Sequence, residues 1–243
     1  MKRNVLVIGA SSDLASEIIL DLTKNYDKVG LHYSGNLQAI QKYESYSNVR
    51  IFQKNIKNED DCKDIINSYI EWAATIDCLV VLMGDITCVE HWKNINIDSM
   101  QRDYLVNAVY PFLLARYASD FMTKKQGKII FVSTASAKRG GGSSTLGYGM
   151  AKYALECAAK RLAKDLAIEN IAVNVIAPGF FDTKFQTEKA KKTVDELEKR
   201  AKFVPLKRAG TKKEFASLVL YLLSDEAGFI TGQIISIDGG DFV

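Results

Sequence analysis

Short apolar runs alternate with longer amphipathic stretches along most of the chain. Residues 5–9 (VLVIG) make an apolar run too short for a helix and closed by glycine, while in the following DLASEIILDLTK the residues Leu14, Ala15, Ile18, Ile19 and Leu22 recur at helical spacing. Strand, tight loop and helix are predicted in that order. The alternation returns in KVGLHY, NLQAIQKYES, NVRIFQ, EDDCKDIINSYIEWAAT and IDCLVVLMG, then in one long predicted helix around MQRDYLVNAVYPFLLARYASDFM. GKIIFVS, YGMAKYALECAAKRLAKDLA, IAVNVIAPG and GQIISID complete the series. Buried strands joined by helices at this spacing predict an α/β fold: a doubly wound parallel sheet with helices on both faces, in a single domain over residues 1–243. The segment DTKFQTEKAKKTVDELEKRAK departs from the pattern by its charge. It reads equally as a solvated helix and, over residues 184–204, as a lid over a pocket.

Composition narrows the class. With 243 residues, 47% of them apolar and 25% charged, the chain can bury a full core. The apolar run in MKRNVLVIGA is too short for a signal peptide or a membrane span, so a cytoplasmic protein with no membrane partner is expected. Cys62, Cys78, Cys88 and Cys157 form no C-x-x-C pair, which favours buried free thiols over disulfides or zinc. His32 and His91 stand alone, so no metal site is expected and both are read as structural. A formal charge of +3 with both signs interspersed makes no case for nucleic acid.

Two local arrangements carry candidate chemistry. The loop GASSDLA lies where a first strand meets a first helix, the place at which unpaired N–H groups and the helix dipole favour a pyrophosphate. Gly9, Ala10, Ser11 and Ser12 are small enough for close backbone approach, and Ala15 still allows helix–sheet contact. Asp13 reads as an N-cap, although its charge is unwelcome beside a phosphate. Further on, Tyr148 and Lys152 are one helical turn apart, so the ammonium can draw the phenol down from its ordinary pKa of about 10 toward a useful proton-transfer value. A chain with 11 tyrosines and this many lysines holds about one such pair by chance, so the pair alone assigns nothing.

Taken in order, GASSDLA, YLVNAVYPF, IIFVSTASAKRGGG, YGMAK, VNVIAPGFFDT, VPLKRAGTKKEFASLVLYLLSDEAGFITGQ and SIDGG resemble the short-chain dehydrogenase/reductase family over nearly the whole chain. The subgroup most resembled includes 3-oxoacyl-carrier-protein reductases and sugar or polyol dehydrogenases. The resemblance implies a Rossmann-type fold and an NADP(H)-dependent oxidoreductase, with NAD as the alternative cofactor, that interconverts a small-molecule carbonyl and secondary alcohol. Tyr148 would be its general acid/base and Lys152 the group that lowers the tyrosine pKa and holds the nicotinamide ribose. Asn107 would hold a water linking Lys152 to solvent, its bland alternative being a helix-interior hydrogen bond. The implied cofactor-binding set is Gly9, Ser11, Ser12, Leu14, Tyr33, Ser34, Asn55, Ile56, Gly84, Lys152, Pro178, Gly179 and Thr183. The carbonyl-polarising hydroxyl falls on Thr134, ahead of Ser136 and then Ser133, while Ser143, Ser144 and Thr145 read as turn residues.

Departures from the family pattern are informative. VLMG, residues 81–84, stands where two asparagines usually tie strands together, and Asn55 stands for an adenine-binding aspartate. LHYSGN lacks the acid that would hold the ribose 2′-OH of NAD, and only Tyr33, Ser34 and Asn36 offer polar groups there, which favours NADP. Two other functions compete: a 3-oxoacyl-carrier-protein reductase of fatty acid synthesis, opposed by Glu169 where carrier-serving members often have a basic residue, and a non-catalytic nucleotide-binding relative. A homotetramer is expected from the family and from Ala151, Ala154, Ala158, Ala159 and Ala163, which would permit close helix packing; the bland alternative is packing against the sheet.

Overall fold

Alternate residues of each short apolar run face opposite sides of one sheet. In the computed structural model, which describes residues 3–123 and 125–242, strand β1 (Asn4–Ile8) sends Leu6 and Ile8 into one buried cluster and Val5 and Val7 into the other. Strands β4 (Cys78–Val81) and β5 (Gly127–Val132) divide their side chains in the same way, Leu79, Val81, Ile129 and Phe131 to the first side and Cys78, Val80, Ile130 and Val132 to the second. A strand apolar on both faces must be covered on both faces, which explains its continuous hydrophobic reading. With β2 (Lys28–Tyr33), β3 (Val49–Gln53), β6 (Ile171–Pro178) and β7 (Ile234–Ile237) the sheet has seven strands in the order β3-β2-β1-β4-β5-β6-β7. All pairs are parallel. The fold is thus the doubly wound Rossmann-like sheet expected, and the order reverses between β1 and β4, where such sheets open a crevice at their carboxyl ends.

Helices α2 (Glu59–Ala73), α4 (Tyr110–Ser119) and α5 (Leu146–Leu166) cover the first side. Helices α1 (Ala15–Asn25) and α8 (Lys212–Leu223) cover the second. Each leucine or isoleucine fully buried there contributes about 2 kcal/mol relative to exposure. Local signals set the ends: Asn58 accepts from the Asp61 N–H to start α2, and Thr211 with Glu214 forms a capping box at the start of α8.

Three expectations change. NLQAIQKYES is not an α-helix: only Gln41–Ser45 forms a 3₁₀ turn. Its apolar residues Leu37, Ile40 and Tyr43 recur every third position, the 3₁₀ period, and the Tyr43 hydroxyl donates to the Ser16 carbonyl and ties the turn to α1. The long helix predicted around residues 100–122 is α3 (Ile97–Tyr104), a π-helical turn over Leu105–Val109, and α4. Pro111 supplies the reason, since it has no N–H for the carbonyl four residues back, that of Asn107. The charged segment holds two short helices, α6 (Lys184–Glu188) and α7 (Val194–Phe203), with nonhelical residues between them.

Two smaller readings also shift. Cys62 and Cys78 are buried, but Cys88 is half-buried and Cys157 is exposed on the outer face of α5. On the same helix Ala151, Ala159 and Ala163 are buried in the core and pack within the chain, whereas Ala154 and Ala158 are half-buried. No helix among the described residues is long and apolar enough to cross a membrane.

Candidate active site

The predicted site residues gather along the carboxyl ends of the strands. Gly9, Ser11, Ser12 and Leu14 follow β1, Tyr33 and Ser34 end β2, Asn55 and Ile56 follow β3, and Gly84 follows β4. Thr134 follows β5, and Pro178, Gly179 and Thr183 follow or end β6. Gly9 has φ +77°, and a Cβ there would lie 3.0 Å from the Met83 nitrogen, so this crossing of the β1 and β4 ends requires glycine. The Gly9 N–H donates to His32 Nδ1 at 3.3 Å, and His32 Nε2 meets the Lys54 carbonyl at 2.8 Å. His32 therefore bridges the first loop and the end of β3, a positional role that its isolation in sequence did not show. Burial lowers its pKa and keeps it neutral, as an acceptor at Nδ1 requires.

Lys152 is 2% exposed, and its Nζ donates to the carbonyls of Met83 at 3.0 Å and Val132 at 2.9 Å. Those carbonyls lie just beyond β4 and at the end of β5, so two strand ends hold the ammonium. Burial drives the Lys152 pKa down to about 7. Its Nζ is 5.9 Å from the centre of the Tyr148 ring, one turn earlier on α5. Contrary to the sequence expectation of a lowered phenol pKa, burial raises that of Tyr148, and the nearby Asp103 carboxylate raises it further. Desolvation of the phenolate outweighs a lysine whose own charge is disfavoured by the same burial.

Asn107 is fully buried in the π turn. Its Oδ1 accepts from the Asp85 N–H at 3.0 Å, and its Nδ2 donates to the carbonyls of Asp85 and Asp103, both at 2.8 Å. The side chain thereby pins the loop after β4. A Cβ on Gly84 would lie 3.2 Å from both Asn107 Oδ1 and Lys152 Nζ, so Gly84 is the spacer between them. Asp103, absent from the sequence-derived set, accepts from the Thr87 N–H and hydroxyl, each at 2.8 Å, and stands against Gly147. No motif announced it.

The three candidate hydroxyls separate in space. Ser133 is buried and donates to Glu156 Oε1 at 2.6 Å, toward α5. Thr134 and Ser136 remain together, their oxygens 3.0 Å apart, with Thr134 Oγ1 also accepting from the Ser136 N–H at 3.4 Å. Alternation at the strand end turns Ser133 away, which leaves two hydroxyls at the mouth of β5. The lid segment adds Phe185, whose ring centre lies 5.8 Å from that of Tyr148. Sequence reading placed Phe185 only within a charged stretch.

This combination of parallel sheet, glycine loop and buried lysine below a tyrosine belongs to a known class of oxidoreductase. The sequence profile described as enoyl-(acyl carrier protein) reductase matches residues 9–241. The chain is 31% identical over 99% of its length to the uncharacterized oxidoreductase YmfI of Bacillus subtilis, covering 99% of that protein. It is 29% identical to the 3-oxoacyl-[acyl-carrier-protein] reductase FabG of Buchnera aphidicola, covering all of this chain and 98% of the relative. Among solved structures it superposes on YwfH, described as an NADPH dependent reductase involved in bacilysin biosynthesis, with a TM-score of 0.87 and 28% identity over 99% of this chain and 98% of that one. The chain belongs to the short-chain dehydrogenase/reductase family of oxidoreductases.

Proposed function

We propose that this chain is an NADP(H)-dependent oxidoreductase that interconverts a small carbonyl compound and its secondary alcohol, with Tyr148 as general acid/base. The observation that carries this reading is the seating of Lys152 on the Met83 and Val132 carbonyls, one turn from Tyr148 and across Gly84 from Asn107. The crevice fits a dinucleotide: Gly9 brings bare backbone to the switch point, and Ser11 and Ser12 add hydroxyl donors beside the start of α1. After Tyr33 the chain continues Ser34, Gly35, Asn36, with no carboxylate to repel a 2′-phosphate, and the structurally similar YwfH is an NADPH dependent reductase. Leu14, Asn55, Ile56, Pro178, Gly179 and Thr183 complete the cofactor wall.

When bound, the nicotinamide supplies or accepts the hydride. Tyr148 gives its proton to the carbonyl oxygen in reduction and takes it back in oxidation, while the Thr134 hydroxyl donates a hydrogen bond to the same oxygen. Lys152, its pKa drawn down to about 7, stands one turn from the phenol as a group that can carry or release a proton, and Asn107 fixes the loop that carries Gly84 and Asp85. The raised pKa keeps Tyr148 protonated at neutral pH, the form that can donate to a carbonyl oxygen. A thioester on an acidic carrier is the second substrate reading, favoured by the lysine-rich lid and by the carrier-protein relative.

The same reading includes a homotetramer, supported by apolar side chains left outward on α3 and α5: Ile97, Tyr104, Met150 and Tyr153 are all exposed. A monomeric mass in light scattering at micromolar concentration rejects that part. The function itself is tested by following NADPH absorbance with a carbonyl panel that includes an acetoacetyl thioester. Turnover by the parent protein is expected, as is a loss of about 10²- to 10⁴-fold in Tyr148→Phe with NADPH binding retained. Absence of turnover with every carbonyl, or full activity in Tyr148→Phe, rejects the proposal.

A further inference from the structure

Asp13 stands in the loop between β1 and α1, where a carboxylate is electrostatically unfavourable for an anionic ligand, and its side chain does not cap the helix it precedes. The N-cap of α1 is Leu14, with no side-chain cap bond. The Asp13 side chain instead crosses to the lid, where Oδ2 accepts from the Lys184 N–H at 2.7 Å, a contact between residues 171 positions apart. Its other oxygen lies 3.8 Å from Lys212 Nζ, on a helix start fixed by the Thr211–Glu214 capping box. The carboxylate is thus hydrogen-bonded from the lid and ion-paired from α8 at once.

The far end of α6 carries a second tie. Lys189 Nζ is 2.9 Å from Asp85 Oδ1, and both backbone groups of Asp85 are held by Asn107. Between the two ties α6 brings Phe185 to the ring of Tyr148. One end of the short helix is fastened to the loop after β1, the other to the loop after β4.

We propose that Asp13 is a positioning residue that latches the lid helix to the first loop and so sets Phe185 over Tyr148. The latch couples two parts of the site: a change in the loop moves the Lys184 anchor, and a displaced lid releases the carboxylate. That the loop holds a cofactor rests on the function proposed above, whereas the latch itself rests on the contacts just described.

The test begins without cofactor. In the unmutated protein, hydrogen exchange should find the Lys184 amide protected, and an amide that exchanges at the free rate overturns the proposal. Trypsin should cut after Lys184, Lys189, Lys191 or Lys192 on the order of tenfold faster in Asp13→Ala, since a hydrogen bond to a charged acceptor has been lost. Asp13→Asn keeps an oxygen for the same N–H and should restore most of the protection. With substrate, Asp13→Ala should raise the carbonyl KM more than it changes kcat or the NADPH dissociation constant. If NADPH binds more tightly to Asp13→Ala while lid cleavage is unchanged, Asp13 acts only as a charge beside the cofactor and the latch is wrong. A parent protein that binds no NADPH sinks the proposed function and leaves the exchange and cleavage results to judge the latch alone.

Discussion

Replacing Lys152 by methionine separates the cost of burying its charge from its use. In the folded protein the group titrates near 7 rather than at its ordinary 10.5, because burial disfavours the ammonium. Below about pH 7 both folded and unfolded chains carry the proton, and the burial penalty is fully present. Between about pH 7 and 10 the unfolded chain binds a proton that the folded one has released, so stability rises with pH in that window. From pH 7 to pH 9 this single group should add about 2 kcal/mol to the unfolding free energy, at 1.36 kcal/mol per pKa unit and allowing for partial titration at the lower end. In Lys152→Met that slope vanishes. The other groups with shifted values, including His32, Cys62 and Cys78, are common to both proteins and cancel in the difference. The variant leaves the Met83 and Val132 carbonyls without their donor, a pH-independent cost of about 1–3 kcal/mol for each that stays unsatisfied. Urea unfolding of both proteins at pH 7, 8 and 9 supplies the measurement, together with turnover at each pH. The stability of the variant relative to the parent should fall by about 2 kcal/mol across the series, while turnover is absent throughout. Parallel pH profiles would show that Lys152 titrates at its ordinary value in the folded protein, and the argument from burial would be refuted.

Other perturbations address single contacts. Thr134→Val removes one hydroxyl at nearly constant shape and is expected to lower kcat by about 10²-fold, the scale for losing one oxyanion donor, with Thr134→Ser retaining activity; loss in Ser136→Ala with Thr134→Val intact would reassign the donor to Ser136. Gly84→Ala places a methyl 3.2 Å from Asn107 Oδ1 and Lys152 Nζ, and should reduce kcat/KM by roughly tenfold; unchanged kinetics would mean that the spacing between these two groups is immaterial. Fluorescence titration should give tighter binding for NADPH than for NADH, and the reverse order would reject the reading of the Ser34–Asn36 turn.

Features set by near neighbours were readable from the chain, and features set by distant partners were not. The strands are legible as short, continuous apolar runs because both faces of the sheet are covered, and the first loop is legible because a strand and a helix flank it. The three-residue spacing of Leu37, Ile40 and Tyr43 is also present in the sequence, but over so few residues it does not separate a 3₁₀ turn from the start of an α-helix. Ser133 and Thr134 are adjacent and chemically alike, so only Glu156, contributed by α5, decides which hydroxyl is consumed inside the protein. Asp13 has the residue type of an N-cap, yet its bond lies on α6. For Tyr148 and Lys152 the spacing was right and the electrostatic consequence was not. Two side chains one turn apart in water would leave the lysine charged and the phenol drawn down. Buried on two carbonyls, the lysine loses much of its preference for charge, and the phenol beside Asp103 moves upward instead. The helix determines that the pair is close; how much charge either group carries there is decided by the strand ends and side chains packed around them.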